Sequence, residues 1–135
     1  MSDTKYTSYY YELIEKYKDF HTNGTKNLSG KKTFLGYSLT PWIEKISEII
    51  KELECNSLLD FGCGKAFLYN NSFKFKGSNY LNLQDYFKIK DLILYDPAVE
   101  IYSRYPDKNC DGVICTDVIE HIPEEDIFNF IDEIF

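Results

Sequence analysis

Three aspartates close three short apolar runs: Asp60 in Ser57-Leu58-Leu59-Asp60-Phe61, Asp96 after Leu92-Ile93-Leu94-Tyr95, and Asp117 after Gly112-Val113-Ile114-Cys115-Thr116. The first run leads at once into Gly62-Cys63-Gly64-Lys65-Ala66, with two glycines one residue apart. Carboxylates accept hydrogen bonds and attract cations, and closely spaced glycines let a backbone turn sharply and approach a ligand. A single strand-end aspartate more often caps a turn. Three of them on parallel strands beside a glycine turn describe a cleft, because open α/β sheets bind ligands outside the carboxyl ends of their strands. His121 follows the third run, and its imidazole suits proton transfer from a substrate, contact with it, or simply capping of the turn before Pro123.

The spelling of the glycine turn limits the ligand. A phosphate-binding loop reads G-x-x-x-x-G-K-[ST], whereas Lys65 here follows Gly-Cys-Gly and precedes Ala66. A dinucleotide fingerprint reads G-x-G-x-x-G; Gly62 and Gly64 fit its first two places, but the third falls on Phe67. Asp60, just before the turn, is also unusual where a pyrophosphate must approach.

The elements that position these residues follow from periodicity. Tyr10, Leu13, Ile14, Tyr17 and Phe20 form one stripe of a helix over 8–20, with Ser8 as its cap and Asn23-Gly24 as its end. Residues 22–33 are rich in Asn, Gly, Ser, Thr and Lys and read as a mobile loop, either a connector or a lid edged by Phe34, Tyr37 and Trp42. Thr40-Pro41 is a helix start, and Ile43, Ile46, Ile49, Ile50 and Leu53 make the apolar face that follows. After the first strand a short helix is expected over about 65–69. Phe73-Lys74-Phe75-Lys76 alternates like an edge strand with solvated lysines, Gly77-Ser78-Asn79 reads as a turn, and Asp85-Tyr86-Phe87 opens a helical turn. The third strand is expected over 112–117. Pro123-Glu124-Glu125-Asp126 starts a last helix whose inner face is Ile127, Phe130, Ile131 and Ile134.

With 135 residues and 27% charged residues, the chain reads as an ordinary globular fold. It divides into an N-terminal helix and lid-like loop (1–40) and a ligand-binding α/β unit (41–135). No strand follows the last helix to be covered by it, so the chain reads as cut short, with further strands expected beyond Phe135. The net charge of −7 falls entirely on residues 55–135, which is the wrong sign for a nucleic-acid groove. Apolar runs are too short to span a bilayer, so no membrane partner is expected. Cys55, Cys63, Cys110 and Cys115 include no C-x-x-C pair, so no metal site is expected, and they suit a reducing cytoplasm.

The stretch Leu58 to Ala66 resembles motif I of class I S-adenosylmethionine-dependent methyltransferases, an apolar run followed by Asp/Glu-x-Gly-x-Gly-x-Gly with Ala allowed last. Tyr95-Asp96 resembles that family's second-strand acid, and Asp111 to Ile122 resembles its fourth-strand motif; the likeness covers 57–131. It implies a Rossmann-like three-layer sandwich with a mostly parallel sheet, an N-terminal helical extension and missing C-terminal strands. It implies S-adenosyl-L-methionine as cofactor, held by Asp60, Gly62, Cys63, Gly64, Asp96 and Asp117. Asp96 would accept the ribose hydroxyls and Asp60 would meet the amino-acid end through water. His121 and Asp117 would face a small-molecule or sugar-type O/N acceptor. The stretch 70–90 reads as an insertion relative to the family, and no residue stands clearly where the family reads the adenine amino group. Two other readings remain open at this point: a non-catalytic S-adenosylmethionine-binding module, and an NAD- or nucleotide-sugar-dependent enzyme.

Overall fold

The computed structural model describes residues 5–135. At its centre, β1 (Ser57–Phe61) runs between β4 (Asp91–Tyr95) and β5 (Gly112–Ile114), all three parallel. The registers pair Leu59 with Ile93 and Val113. The chain is therefore α/β, with a small parallel sheet and several helices.

Alternation along β1 sends side chains to two cores. Leu58 points to a cluster with Ile43 and Ile50 of α2 (Ile43–Glu52), Leu68 and Tyr69 of α3 (Phe67–Asn70), and Leu83 and Phe87 of α4 (Leu83–Phe87). Leu59 and Phe61 point to the other face, against Phe130 of α5 (Ile127–Ile134), Tyr6 just before α1 (Ser8–Asn23) and Tyr10 in its first turn. Phe130 is 1% exposed and meets Phe61 edge-on at 5.4 Å, so it anchors that face. Tyr6 and Tyr10 share this cluster with sheet residues.

Several elements differ from the sequence expectation for identifiable reasons. Thr7, not Ser8, caps α1; its hydroxyl accepts from the Tyr10 amide at 3.3 Å, and the helix runs on to Asn23. Thr40-Pro41 does not start the second helix, because a 3-10 turn over Tyr37–Trp42 feeds directly into α2. The buried face of α2 is narrower than expected: Ile49 and Leu53 are exposed, and Ser47 takes a buried place beside Ile43 and Ile50. Phe73-Lys74-Phe75 does not border the central sheet. It pairs as β2 (Phe73–Phe75) with β3 (Ser78–Tyr80) in a separate hairpin whose two-residue turn is Lys76-Gly77, so Ser78 and Asn79 lie in a strand rather than a turn. On α5, Ile131 is partly open to solvent rather than core.

The segment 24–36 is tied down by hydrogen bonds. Thr25 donates to Leu28 O at 2.8 Å, and Thr33, which is 2% exposed, sets its hydroxyl 2.8 Å from both Phe20 O and Gly30 O. The N-terminal end of α1 is fastened to the start of α5 by buried Asp126, whose carboxylate accepts from Thr7 N at 2.8 Å and Thr7 Oγ1 at 2.5 Å.

Candidate functional site

The strand order β4-β1-β5 means that the chain leaves β1 toward one neighbour and later crosses to the other. The gap between β1 and β5 beyond their carboxyl ends is a topological switch point, where loops part and leave room for a ligand. A cavity of about 420 Å³ lies there. Its floor is the glycine turn (Gly62, Cys63, Gly64) with Asp96 and Ala98; Thr116, Asp117, Val118 and His121 form one side. Its roof is α1, through Leu13, Ile14 and Tyr17, together with Phe34 to Ser38 of the following loop. The apolar stripe of α1 thus covers a cavity over much of its length, and among the described residues of that helix only Tyr10 is buried.

The floor is built by backbone geometry. Gly62 N and Cys63 N both donate to Tyr95 O, at 2.7 and 3.1 Å, which continues the β1–β4 pairing past the strand ends. Gly62 and Gly64 have φ of +91° and +58°, and a Cβ on either would collide: with Val118 Cγ2 at 2.3 Å for Gly62, and with Phe34 O at 2.4 Å for Gly64. Both glycines are therefore required by the loops that pack on the turn, apart from any ligand.

Asp96 sits at the end of β4 beside this turn. Its Oδ2 accepts from Gly64 N and its Oδ1 from Ala98 N, each at 2.9 Å. Burial pushes its carboxyl above the ordinary range, opposed by these two amides and by Lys65. Each oxygen keeps a lone pair for a further donor.

Asp60 is placed differently from the expectation that three aspartates share one rim. It lies inside β1, opposite Leu94 and Ile114, and period-two alternation turns it to the α2–α4 face. It does not line the main cavity. It accepts from Tyr69 Oη at 2.8 Å and borders a second hollow of about 20 Å³ with Ser38, Cys63 and Thr116, room for one water. Burial raises its carboxyl to about 7 against the lowering hydrogen bond from Tyr69, and Asp96 adds to the rise. β5 is also shorter than expected: it ends at Ile114, and Asp117 stands in the loop beyond with a left-handed φ of 52°. An aspartate tolerates that conformation better than most residues, yet it carries strain, and strain of this kind gathers at ligand sites.

Two contacts that the sequence did not announce hold the roof. Lys65 Nζ reaches Thr33 O at 2.6 Å, Thr33 Oγ1 at 2.9 Å and His21 Nδ1 at 3.0 Å, so its three hydrogens meet three acceptors on the roof. Burial, with Lys65 as a second cause, lowers the His21 imidazole to about 4, so His21 is neutral and accepts the lysine hydrogen. On the other side, Tyr17 Oη lies 2.8 Å from His121 Nδ1. Both bonds join residues far apart in the chain. The stripe position of Tyr17 was the one available hint of its part, and the place of Lys65 within the glycine turn the hint for the other.

A cavity of this size, mostly apolar with a few convergent polar groups, suits a nucleoside-sized small molecule. Its floor offers a paired carboxylate and glycine backbone. Comparison with protein-family models, with curated proteins and with solved structures finds no match.

Proposed function

We propose that the chain is an S-adenosylmethionine-dependent methyltransferase acting on a small-molecule or sugar-type hydroxyl or amine, with the β4-β1-β5 sheet as part of a Rossmann-like three-layer sandwich. The observation that carries this reading is Asp96, oriented by Gly64 N and Ala98 N at the floor of the switch-point cavity. Its two oxygens form a two-point acceptor for neighbouring ribose hydroxyls, and the first turn after β1 abuts it.

The site fits a cationic cofactor better than a pyrophosphate. Asp96 and Asp117 line the cavity, against a single lysine, Lys32. α3 has only four residues, begins after Ala66 in a left-handed conformation, and offers no long helix start for phosphate oxygens. Like-charge repulsion between two carboxylates and a pyrophosphate adds to this, whereas an ammonium and a sulfonium are attracted.

S-adenosylmethionine supplies, when bound, a methyl group on positively charged sulfur that leaves as a neutral thioether. The protein's part is to bind, align and exclude water. Asp96 holds the ribose side, and the Gly62–Gly64 backbone lies along the floor. Asp60 braces the turn from behind, beside the small hollow it shares with Cys63. Tyr17, Phe34 and Tyr37 lie over the cavity as its aromatic roof. Asp117 and His121 contact the acceptor. Calorimetric titration with S-adenosylmethionine, S-adenosylhomocysteine and NAD tests the reading: binding of the first two and not the third is expected, while preference for NAD overturns it. Binding without turnover on any acceptor leads instead to a non-catalytic module.

A further inference from the structure

We infer that Tyr17 donates its hydroxyl hydrogen to His121 Nδ1, so that His121 stands as the Nε2–H tautomer and presents a hydrogen-bond donor, not a base, to the acceptor. Tyr17 is on that view a positioning residue for the acceptor site. The inference rests on reading the cavity as a methyl-transfer site.

The geometry is a single contact of 2.8 Å between Tyr17 Oη and His121 Nδ1, reaching from α1 to the 3-10 turn after β5. The two rings also meet edge-on, at 71° with centroids 5.6 Å apart. Either group can be the donor in principle. A phenol O–H is a far stronger acid than a neutral imidazole N–H, and an imidazole nitrogen is a far better acceptor than a phenol oxygen, so the bond runs from Tyr17 to His121. Burial and the nearby Glu120 carboxylate both raise the Tyr17 phenol above its ordinary value, so the hydroxyl stays protonated and able to donate. The hydrogen bond at one ring nitrogen sets the proton on the other. Among the described residues, no protein group bonds Nε2, and His121 lines the cavity.

The consequence is a substrate class. A donor at Nε2 selects an acceptor with a hydrogen-bond-accepting oxygen or nitrogen at or beside the methylated atom. Methyl transfer to a neutral hydroxyl breaks the S–CH3 bond, forms O–CH3 and releases the hydroxyl proton. That proton goes to the Asp117 carboxylate on the same wall, because His121 already carries hydrogen on the nitrogen left free by Tyr17. A hydroxyl with a neighbouring oxygen, as in a sugar diol, meets both requirements: one oxygen facing Asp117, the other receiving from His121.

The test is nitrogen-15 NMR of the imidazole in the whole chain, without ligand, at about pH 8, above the ordinary imidazole range. The parent is expected to show the Nε2–H tautomer alone, with Nδ1 shifted as a hydrogen-bonded acceptor. Tyr17→Phe, which keeps the ring, is expected to lose that Nδ1 shift and to populate both tautomers. An Nδ1–H tautomer in the parent overturns the inference, as does a Tyr17→Phe spectrum identical to the parent's. Titration of S-adenosylhomocysteine into the same samples reads the cofactor assignment separately, so failure of one result is distinguishable from failure of the other.

Discussion

Replacing Asp60 by asparagine tests whether this aspartate is a buried brace rather than a ligand on the cavity rim. The amide keeps the shape and can still accept from Tyr69 Oη, but carries no charge. The Asp60 carboxyl is raised from 3.8 to about 7 in the folded chain, first by burial. A folded-state value above the unfolded one means that the folded chain holds the extra proton between these limits. The carboxyl therefore adds no penalty below about pH 4 and destabilises increasingly as pH rises toward 7, reaching its full effect above that. At about 1.4 kcal/mol per pH unit the ceiling is on the order of 4 kcal/mol, reduced by relaxation around the charge. His21 acts in the opposite direction, since its lowered value removes stability as pH falls from 6.5 toward 4. Subtracting parent from variant cancels that contribution. Urea unfolding of both proteins across this pH range is expected to give equal stabilities at the acid end. At the alkaline end the Asp60→Asn variant is expected to be more stable by about 2–4 kcal/mol. A difference that stays flat with pH contradicts a buried Asp60 carboxyl that ionises only against the cost of burial. Retained S-adenosylhomocysteine binding in Asp60→Asn agrees with a bracing role, and its complete loss contradicts it.

Four further outcomes are expected. Lys65→Met removes a charged donor from Thr33 and His21 and should cost about 1.5–3 kcal/mol, with faster hydrogen exchange confined to 21–36. Gly64→Ala should cost about 1–2 kcal/mol for the left-handed backbone alone, and more as the new methyl drives Phe34 away, measured by denaturant titration. Asp96→Ala should weaken S-adenosylhomocysteine by at least about tenfold in calorimetry, as each charge-assisted hydrogen bond is worth about 1.5–3 kcal/mol. Asp126→Ala leaves the Thr7 amide and hydroxyl without their acceptor and should cost about 1–3 kcal/mol, with limited proteolysis cutting near α1 first.

What could be read from the chain was the local part. The apolar run with its glycine turn placed β1, Tyr95-Asp96 placed the end of β4, and the stripe on 8–20 placed α1, because each signal lies within a few residues. The orientation of Asp60 was misjudged although its signal is local: in a strand it must share a face with Leu58, opposite Phe61, and that alternation outweighs its nearness to the turn. The roof was not legible. Lys65 meets His21 and Thr33 across 44 and 32 positions, and Tyr17 meets His121 across 104, so no window of sequence contains both partners. The hairpin was misplaced because Ser78-Asn79 has turn composition but is held extended by pairing with Lys74 and Phe75. Among the described residues, no helix is long and apolar enough to cross a membrane.

On the proposed reading, S-adenosylmethionine binds in the switch-point cavity floored by the glycine turn and Asp96. Amide chemical-shift mapping with S-adenosylhomocysteine locates that binding residue by residue. The expected result is a saturable set of shifts at Gly62, Cys63, Gly64, Ala98 and Thr116 to Val118. Shifts confined to the 73–80 hairpin, or no saturable shifts at millimolar ligand, contradict it.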